Sequence, residues 1–304
     1  MKKIITFGSA TWDIYIDPKQ KIILPHKECI SKKVLAFNLG SKINLKTTDF
    51  SIGGGGINAA VTFKRQGLDV SYMGCVGEDV LGSQIINKLK KIGIKTRLIQ
   101  RTDKMGTNCS IIFNNKALDR TIMVYRGASE CLSFKKTKAD WFYLAPLSGK
   151  SAKQTEEIVD YAKKNNIKVA FNPGNSQLTL SKKKILNILS YVDVLILNNE
   201  EASVLTKTEY TKEKEIIKEI QKIFNGIAVI TKGKKGVTVI TENKIYKEKA
   251  LKVKTIDQTG AGDAFGSAFI SSLIKDNDIQ KAIKLGIKNS SSCVRKQGSI
   301  NGLI

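Results

Sequence analysis

The chain has little histidine, little arginine and no long apolar run. His26 stands alone and offers no partner for a histidine-centred site. Five cysteines, Cys29, Cys75, Cys109, Cys131 and Cys293, are odd in number and widely spaced, so neither a disulfide framework nor a metal knuckle follows from them. Cys75 and Cys293 sit in small-residue or apolar runs and read as buried small hydrophobes. Only six of the 51 basic residues are Arg, so the formal charge of +24 is a lysine excess. Such a charge favours anions, including nucleotides, RNA and acidic membranes, without choosing among them. Bidentate reading of bases and phosphates leans on Arg, so the lysines read first as a solvated coat. No uninterrupted apolar stretch approaches the roughly 18 residues of a membrane span. The apolar stretch 4–7 is too short for a signal peptide and lacks a cleavage context, which makes the cytoplasm the expected location.

What is present suits a large globular fold. Apolar residues are 41% and charged residues 26% of 304, enough for a sizeable core in one large domain or one domain with an appendage. Residues 4–7 read as a buried strand ending at Gly8, and Ser9, Ala10 and Thr11 lead on to Asp13. A carboxylate just beyond a strand end can meet a ligand or can simply cap a turn. Residues 21–50 alternate loosely around Pro25 and Gly40, which suggests short strands in a small lobe. A helical pattern over 57–66, a strand over 70–73, a helix over 81–92 and strands over 107–113 and 121–125 follow. Beyond them, apolar runs at 141–144, 169–171, 194–197 and 227–231 alternate with helical patterns at 153–164, 181–189 and 211–224, which indicates parallel β-α-β units. The turn Thr-Lys-Gly-Lys-Lys-Gly at 231–236 joins 227–231 to 237–240 as a strand pair at a sheet edge, and helices run from Gly260 through Leu273 and over 279–292.

Two segments carry chemistry. In Asp257-Gln258-Thr259-Gly260-Ala261-Gly262-Asp263-Ala264-Phe265, glycines at a helix start let exposed N–H groups surround a phosphoryl oxygen. Asp263 follows this nest, where a carboxylate would repel phosphate unless it accepts the proton of an attacking hydroxyl; an ordinary first-turn charge is the alternative. The second segment is Gly53-Gly54-Gly55-Gly56-Ile57-Asn58-Ala59-Ala60, whose glycines allow close backbone approach and whose Asn58 can bond vicinal hydroxyls. It lacks the Gly-Lys-Ser/Thr ending of a Walker A loop, and a mobile linker is its alternative.

Over nearly its whole length the chain resembles the ribokinase-like, or PfkB, carbohydrate kinase family. The amino-terminal signature is matched by Gly53, Gly54, Gly56, Asn58 and Ala59, followed by Gly74, Gly77, Asp79 and Gly82, and the carboxyl-terminal signature by Asp257 through Phe265. Asn198-Asn199-Glu200-Glu201-Ala202, the Gly233 to Gly236 turn and the stretch 289–294 followed by Gly298 match as well. The resemblance implies a single α/β domain over 1–304, a three-layer α/β/α ribokinase-like sandwich with a small β-sheet lid drawn mainly from 15–50 and 105–128.

It also implies ATP-dependent phosphorylation of a hydroxymethyl group on a small sugar such as ribose or fructose. Asp263 would be the base and Gly260, Ala261 and Gly262 would steady the transferred oxygens, while Asp13, Gly54 and Asn58 would hold the sugar. Asn198, Glu201, Thr231, Gly233 and Gly236 would hold the nucleotide, with Asn289 near the adenine edge. Magnesium would be organised through water by Glu201, and Asp257, Thr259, Val294 and Gly298 resemble the segment that holds a monovalent cation such as potassium. Arg295 and Lys296 lie nearby in sequence, and either one pointing inward would make that ion unnecessary or exclude it. Gly55, where ribokinase has Lys, departs from the narrow ribokinase pattern, whereas Arg120, Arg126 and Gly127 fit the lid side of sugar kinases.

A nucleoside kinase is the nearest alternative, with Trp12 or Phe113 stacking on the base. A kinase-fold protein that binds RNA or acts as a regulator is a different class, motivated by the charge and opposed by the intact Asp263 segment. The expected partners are a sugar or nucleoside, with no membrane, no nucleic acid, and a homodimer through the lid.

Overall fold

The computed structural model describes residues 1–20, 22–27, 32–113 and 121–304; Cys29 and Arg120 lie outside the described residues. Strand β1 (Lys3–Phe7) leads into β2 (Thr11–Pro18), the antiparallel pair β3 (Ile22–Pro25) and β4 (Lys33–Ala36), and the long β5 (Leu45–Gly53). Helix α1 (Gly55–Arg65) returns the chain to β6 (Asp69–Met73), and β7 (Cys75–Gly77), α2 (Val80–Ile92) and β8 (Gln100–Thr102) precede β9 (Asn108–Phe113) and β10 (Thr121–Tyr125). A regular alternation follows: β11 (Trp141–Leu144), α3 (Gly149–Ala152), α4 (Thr155–Lys164), β12 (Lys168–Phe171), α5 (Asn175–Leu178), α6 (Lys182–Leu189), β13 (Val194–Asn198), α7 (Asn199–Thr206), α8 (Glu213–Ile223) and β14 (Ile227–Thr231). The chain closes with β15 (Val237–Ile240), β16 (Ile245–Glu248), α9 (Ala261–Asp276) and α10 (Ile279–Cys293).

The large sheet has the order β16-β15-β14-β13-β12-β11-β1-β6, parallel from β14 through β6 and antiparallel at β15 and β16. The edge at this side is therefore β16, one strand beyond the 237–240 run expected there. Its central strands are apolar at most positions because both faces are covered, whereas the edge strand β16 is largely exposed. Successive side chains point to opposite faces. Ile4, Tyr143, Ile196 and Val229 enter one core with α1, α9 and α10. Ile5, Phe142, Leu195 and Ile230 enter a second core with α4, α6 and α8. Phe142, fully buried between Phe7 and Tyr161, contributes about 2–3 kcal/mol by leaving water.

The lid is the four-stranded sheet β10-β9-β2-β5. It takes in Thr11–Pro18 and Leu45–Gly53 whole, so its strands begin and end a few residues outside the expected 15–50. Asp13 consequently lies inside a strand, paired with Ser51 and Ser110, and not beyond a strand end or in a turn. The lid and the carboxyl ends of β1, β11, β13 and β14 converge with the starts of α1 and α9. Ligands of open parallel sheets bind at that end.

Candidate active site

Helix α9 begins after Gly260, whose φ of 76° is left-handed and whose place beside Ser299 leaves no room for a Cβ. Its first N–H groups have no intrahelical acceptor. Ala261 and Gly262 line a cavity of about 610 Å³, and the space beside Gly262 is open. Asp263 is the third residue of the helix. Asn58 Nδ2 donates to Asp263 Oδ2 at 2.8 Å. The Ser299 hydroxyl donates to Asn58 Oδ1, also at 2.8 Å. A Cβ on Gly55 would lie 3.4 Å from Asp263 Oδ1, so the second oxygen faces the glycine segment. Burial raises the Asp263 carboxyl above its ordinary value and the Asn58 donor opposes it only in part.

Asp13 comes from the lid side. It is 4% exposed, and burial pushes it up to about 6 against the Ser110 hydroxyl, with the Asp257 charge adding to the rise. Its Oδ2 occupies the space a Cβ on Gly53 would need. Gly54, expected to hold the sugar, has a φ of 95° and abuts the Ser9 carbonyl, so it shapes the turn into α1. Asn58 is 3% exposed and its amide joins Asp263 to Ser299.

At the end of β13, Asn198 and Glu201 form a reciprocal capping box. Glu201 N donates to Asn198 Oδ1 and Asn198 N to Glu201 Oε2, each at 2.8 Å. Burial raises Glu201 to about 6; the Asn198 N–H counters it, and the charges of Asp263 and Glu200 add to it. The buried Tyr143 hydroxyl, without a hydrogen-bond partner, feels both Asp263 and Glu201. Among the described residues no three side chains form a direct metal cage. One spare carboxylate oxygen near the phosphate nest fits a hydrated magnesium, which retains its waters readily.

Thr231, Gly233 and Gly236 line the cavity with Phe265, Ser290 and Ser291. Asn289 does not. It is fully buried, with Nδ2 donating to Ala264 O at 2.7 Å and to Thr62 Oγ1 at 3.2 Å, and Oδ1 accepting from Ile304 N at 2.8 Å. It therefore buttresses the turn that carries Asp263 and does not line the cavity.

The segment expected to hold a monovalent cation is closed by its own donors. Asp257 Oδ1 accepts from Thr259 N at 2.9 Å and Thr259 Oγ1 at 2.6 Å, and Oδ2 from Gly298 N at 3.1 Å. Val294 O accepts from both Ile256 N at 2.7 Å and Asp257 N at 3.2 Å, and Thr259 O accepts from the Cys293 thiol at 3.5 Å. Burial would raise Asp257, but these donors hold it below its ordinary value. The buried Tyr15 phenol beside it is pushed well up by burial and by the charges of Asp257 and Asp13. The Val294 carbonyl and the Asp257 carboxylate are thus largely occupied by the protein's own donors, whereas Thr259 O meets only the thiol.

Ser299, Ser110 and Tyr15 are site residues that sequence reasoning passed over. Ser299 follows Gly298 directly, but nothing in its type or spacing pairs it with Asn58, 241 residues away.

A mostly parallel sheet with a lid, and a carboxylate at a glycine-opened helix start, define a phosphotransferase of the ribokinase-like fold. Residues 1–304 match the pfkB family carbohydrate kinase profile, and the chain belongs to that family. It is 29% identical over 274 residues to a ribokinase from Haemophilus influenzae, covering 86% of each chain. It is 28% identical over 253 residues to a nucleoside kinase from Methanocaldococcus jannaschii, covering 81% of this chain and 80% of that one. A crystal structure of a fructokinase double mutant from Vibrio cholerae, in a fructose-, ADP- and potassium-bound form, superposes with a TM-score of 0.78 at 20% identity, covering 99% of this chain and 95% of that one. Family members are phosphotransferases that act on a sugar hydroxyl. Among the described residues no helix is long and apolar enough to cross a membrane.

Proposed function

We propose that the chain transfers the γ-phosphoryl group of ATP to the hydroxymethyl oxygen of a small sugar such as ribose or fructose. The observation that carries this is the Asn58–Asp263 hydrogen bond beside the open start of α9. Asn58 holds Oδ2, and Oδ1 accepts the acceptor's hydroxyl proton as its oxygen bonds to phosphorus and the bond to the ADP oxygen breaks. The N–H groups around Ala261 and Gly262 offset charge on the transferred oxygens. Thr231, Gly233 and Gly236 hold the nucleotide, Asp13 receives sugar hydroxyls, and the lid excludes water. Asn198 and Glu201 would hold magnesium through water, and the ion would neutralise phosphate charge. No step of this reading depends on potassium.

A sugar is favoured over a nucleoside because Trp12 and Phe113, the aromatics a nucleoside reading would stack on the base, point away from the acceptor, and Tyr15 on the Asp13 face is buried. Trp12 and Phe113 project from the lid face opposite Asp13. Trp12 lies under Lys88 Nζ at 4.8 Å and beside Phe50, and Phe113 packs on Phe37. The same outer face exposes Phe50 and Met123 by 55% and 56%, which supports a homodimer through the lid, to be measured by light scattering. A coupled assay with Mg-ATP over sugars and nucleosides tests the acceptor. Asp263→Asn should then lose about 10²-fold or more in turnover while keeping nucleotide affinity. Turnover of nucleosides alone would replace the acceptor assignment, and near-normal turnover of Asp263→Asn would remove the base.

A further inference from the structure

The segment Gly74 to Gly82 takes no part in the reaction as described, yet its carboxylate reaches into the lid. Asp79 caps α2, accepting from Gly82 N through Oδ1 at 2.7 Å. The same carboxylate accepts from Thr107 N through Oδ2 and from Thr107 Oγ1 through Oδ1, both at 2.7 Å. Thr107 Oγ1 in turn accepts from Gly77 N at 2.9 Å. Thr107 is 3% exposed and immediately precedes β9. The glycines make this closeness possible, since a Cβ on Gly77 would lie 2.6 Å from both Asp79 Oδ2 and Thr107 N.

The other strand roots are tied to this point. Ala128 N donates to Gly106 O at 2.9 Å, and Ser129 N donates to Asn108 Oδ1 at 3.0 Å. Ala10 N donates to the Ser129 hydroxyl at 3.4 Å, which brings in the start of β2. Three residues beyond Thr107, Ser110 is the register partner of Asp13 and hydrogen-bonds its carboxylate. A strand transmits a displacement at its root over so short a distance, and misplacement by about 1 Å can cost a reaction about 10²-fold.

We propose that Asp79 is a positioning residue for the acceptor site: by fixing Thr107 to the cap of α2 it sets the position of β9, and through Ser110 that of Asp13. This explains why a carboxylate is needed there. Asn caps a helix as well as Asp does, but it cannot also accept from the Thr107 N–H with its NH₂ end.

The inference rests on the kinase reading, and the variants separate the two. Asp79→Asn keeps the cap and breaks the strand root; Thr107→Val removes the hydroxyl, and Thr107→Ser restores it. Asp79→Asn and Thr107→Val should raise the acceptor KM about tenfold or more while the KM for ATP stays within about twofold, and Thr107→Ser should behave like the wild type. In Asp79→Asn, amide hydrogen exchange over 108–113 should accelerate about tenfold or more. An unchanged acceptor KM, an equal rise in both KM values, or unaltered exchange over β9 would overturn the proposal. Absence of acceptor-dependent turnover in the wild-type chain would instead overturn the kinase reading and the acceptor assignment built on it, and exchange would still report whether Asp79 holds β9.

Discussion

Ser299 determines which end of the Asn58 amide faces Asp263. Its hydroxyl donates to Oδ1, so the NH₂ end is presented to the carboxylate, and the Ser299–Asn58 contact is buried at both residues. A flipped amide would set oxygen against oxygen. Ser299→Ala removes the donor that fixes the sense of the amide, and a neutral hydrogen bond contributes about 0.5–1.5 kcal/mol. Turnover should therefore fall about two- to tenfold, with the KM for ATP unchanged. Ser299→Thr should retain more activity than Ser299→Ala, and the opposite ranking in steady-state kinetics would contradict the role.

Asp13 makes stability depend on pH in a definite direction. Its folded value of about 6 lies above the ordinary 3.8, so the fold binds this proton more tightly than the unfolded chain does. That contribution is fully present below about pH 4 and is lost as pH rises through about 6. The difference corresponds to roughly 3 kcal/mol as an upper order of magnitude. Asp13→Asn should accordingly melt above the wild type at pH 8 and converge with it below pH 4, while its acceptor KM rises. Thermal denaturation at the two pH values is the measurement, and a lower melting temperature for the variant at pH 8 would refute the burial argument. Glu201, also raised to about 6, acts in the same direction.

The parallel strands and the Asp263 segment were legible because each is a local pattern: short apolar runs, helical spacing, and glycines before a carboxylate. The lid was less so. Strand β5 reads as polar over most of its length because six of its nine residues are exposed, and Asp13 reads as a turn residue although tertiary pairing places it inside β2. Asn289 shows the remaining limit. Its type suits a base edge, but helix packing turns it inward to Ala264 O and Thr62, and no neighbour in sequence reports that.

Potassium should leave the rate within about twofold when choline replaces it at constant ionic strength. A weakly hydrated ion needs several carbonyl oxygens with free lone pairs, and here Val294 O already accepts two N–H groups while Asp257 is held by Thr259 and Gly298. An ion would have to displace these donors and leave buried N–H groups unpaired, at about 1–3 kcal/mol each. Activation of tenfold or more by potassium would show that the loop opens to receive it.

Adjacent glycines of the amino-terminal segment should fail in different ways. Gly54 has a φ of 95° and faces the Ser9 carbonyl, so Gly54→Ala meets both left-handed strain, about 1–2 kcal/mol, and a backbone clash. Gly55 is helical, and a Cβ there would find Ala145 at 3.1 Å, Pro146 at 3.2 Å and Asp263 Oδ1 at 3.4 Å, contacts that small side-chain shifts can relieve. Alanine also favours the helix over glycine by up to about 1 kcal/mol. Gly54→Ala should thus lower the melting temperature by several degrees, whereas Gly55→Ala should keep it and instead raise the acceptor KM by narrowing the approach to Oδ1. Equal losses of stability in the two variants would mean that the segment tolerates no side chain anywhere, and that Gly55 has no separate bearing on the base.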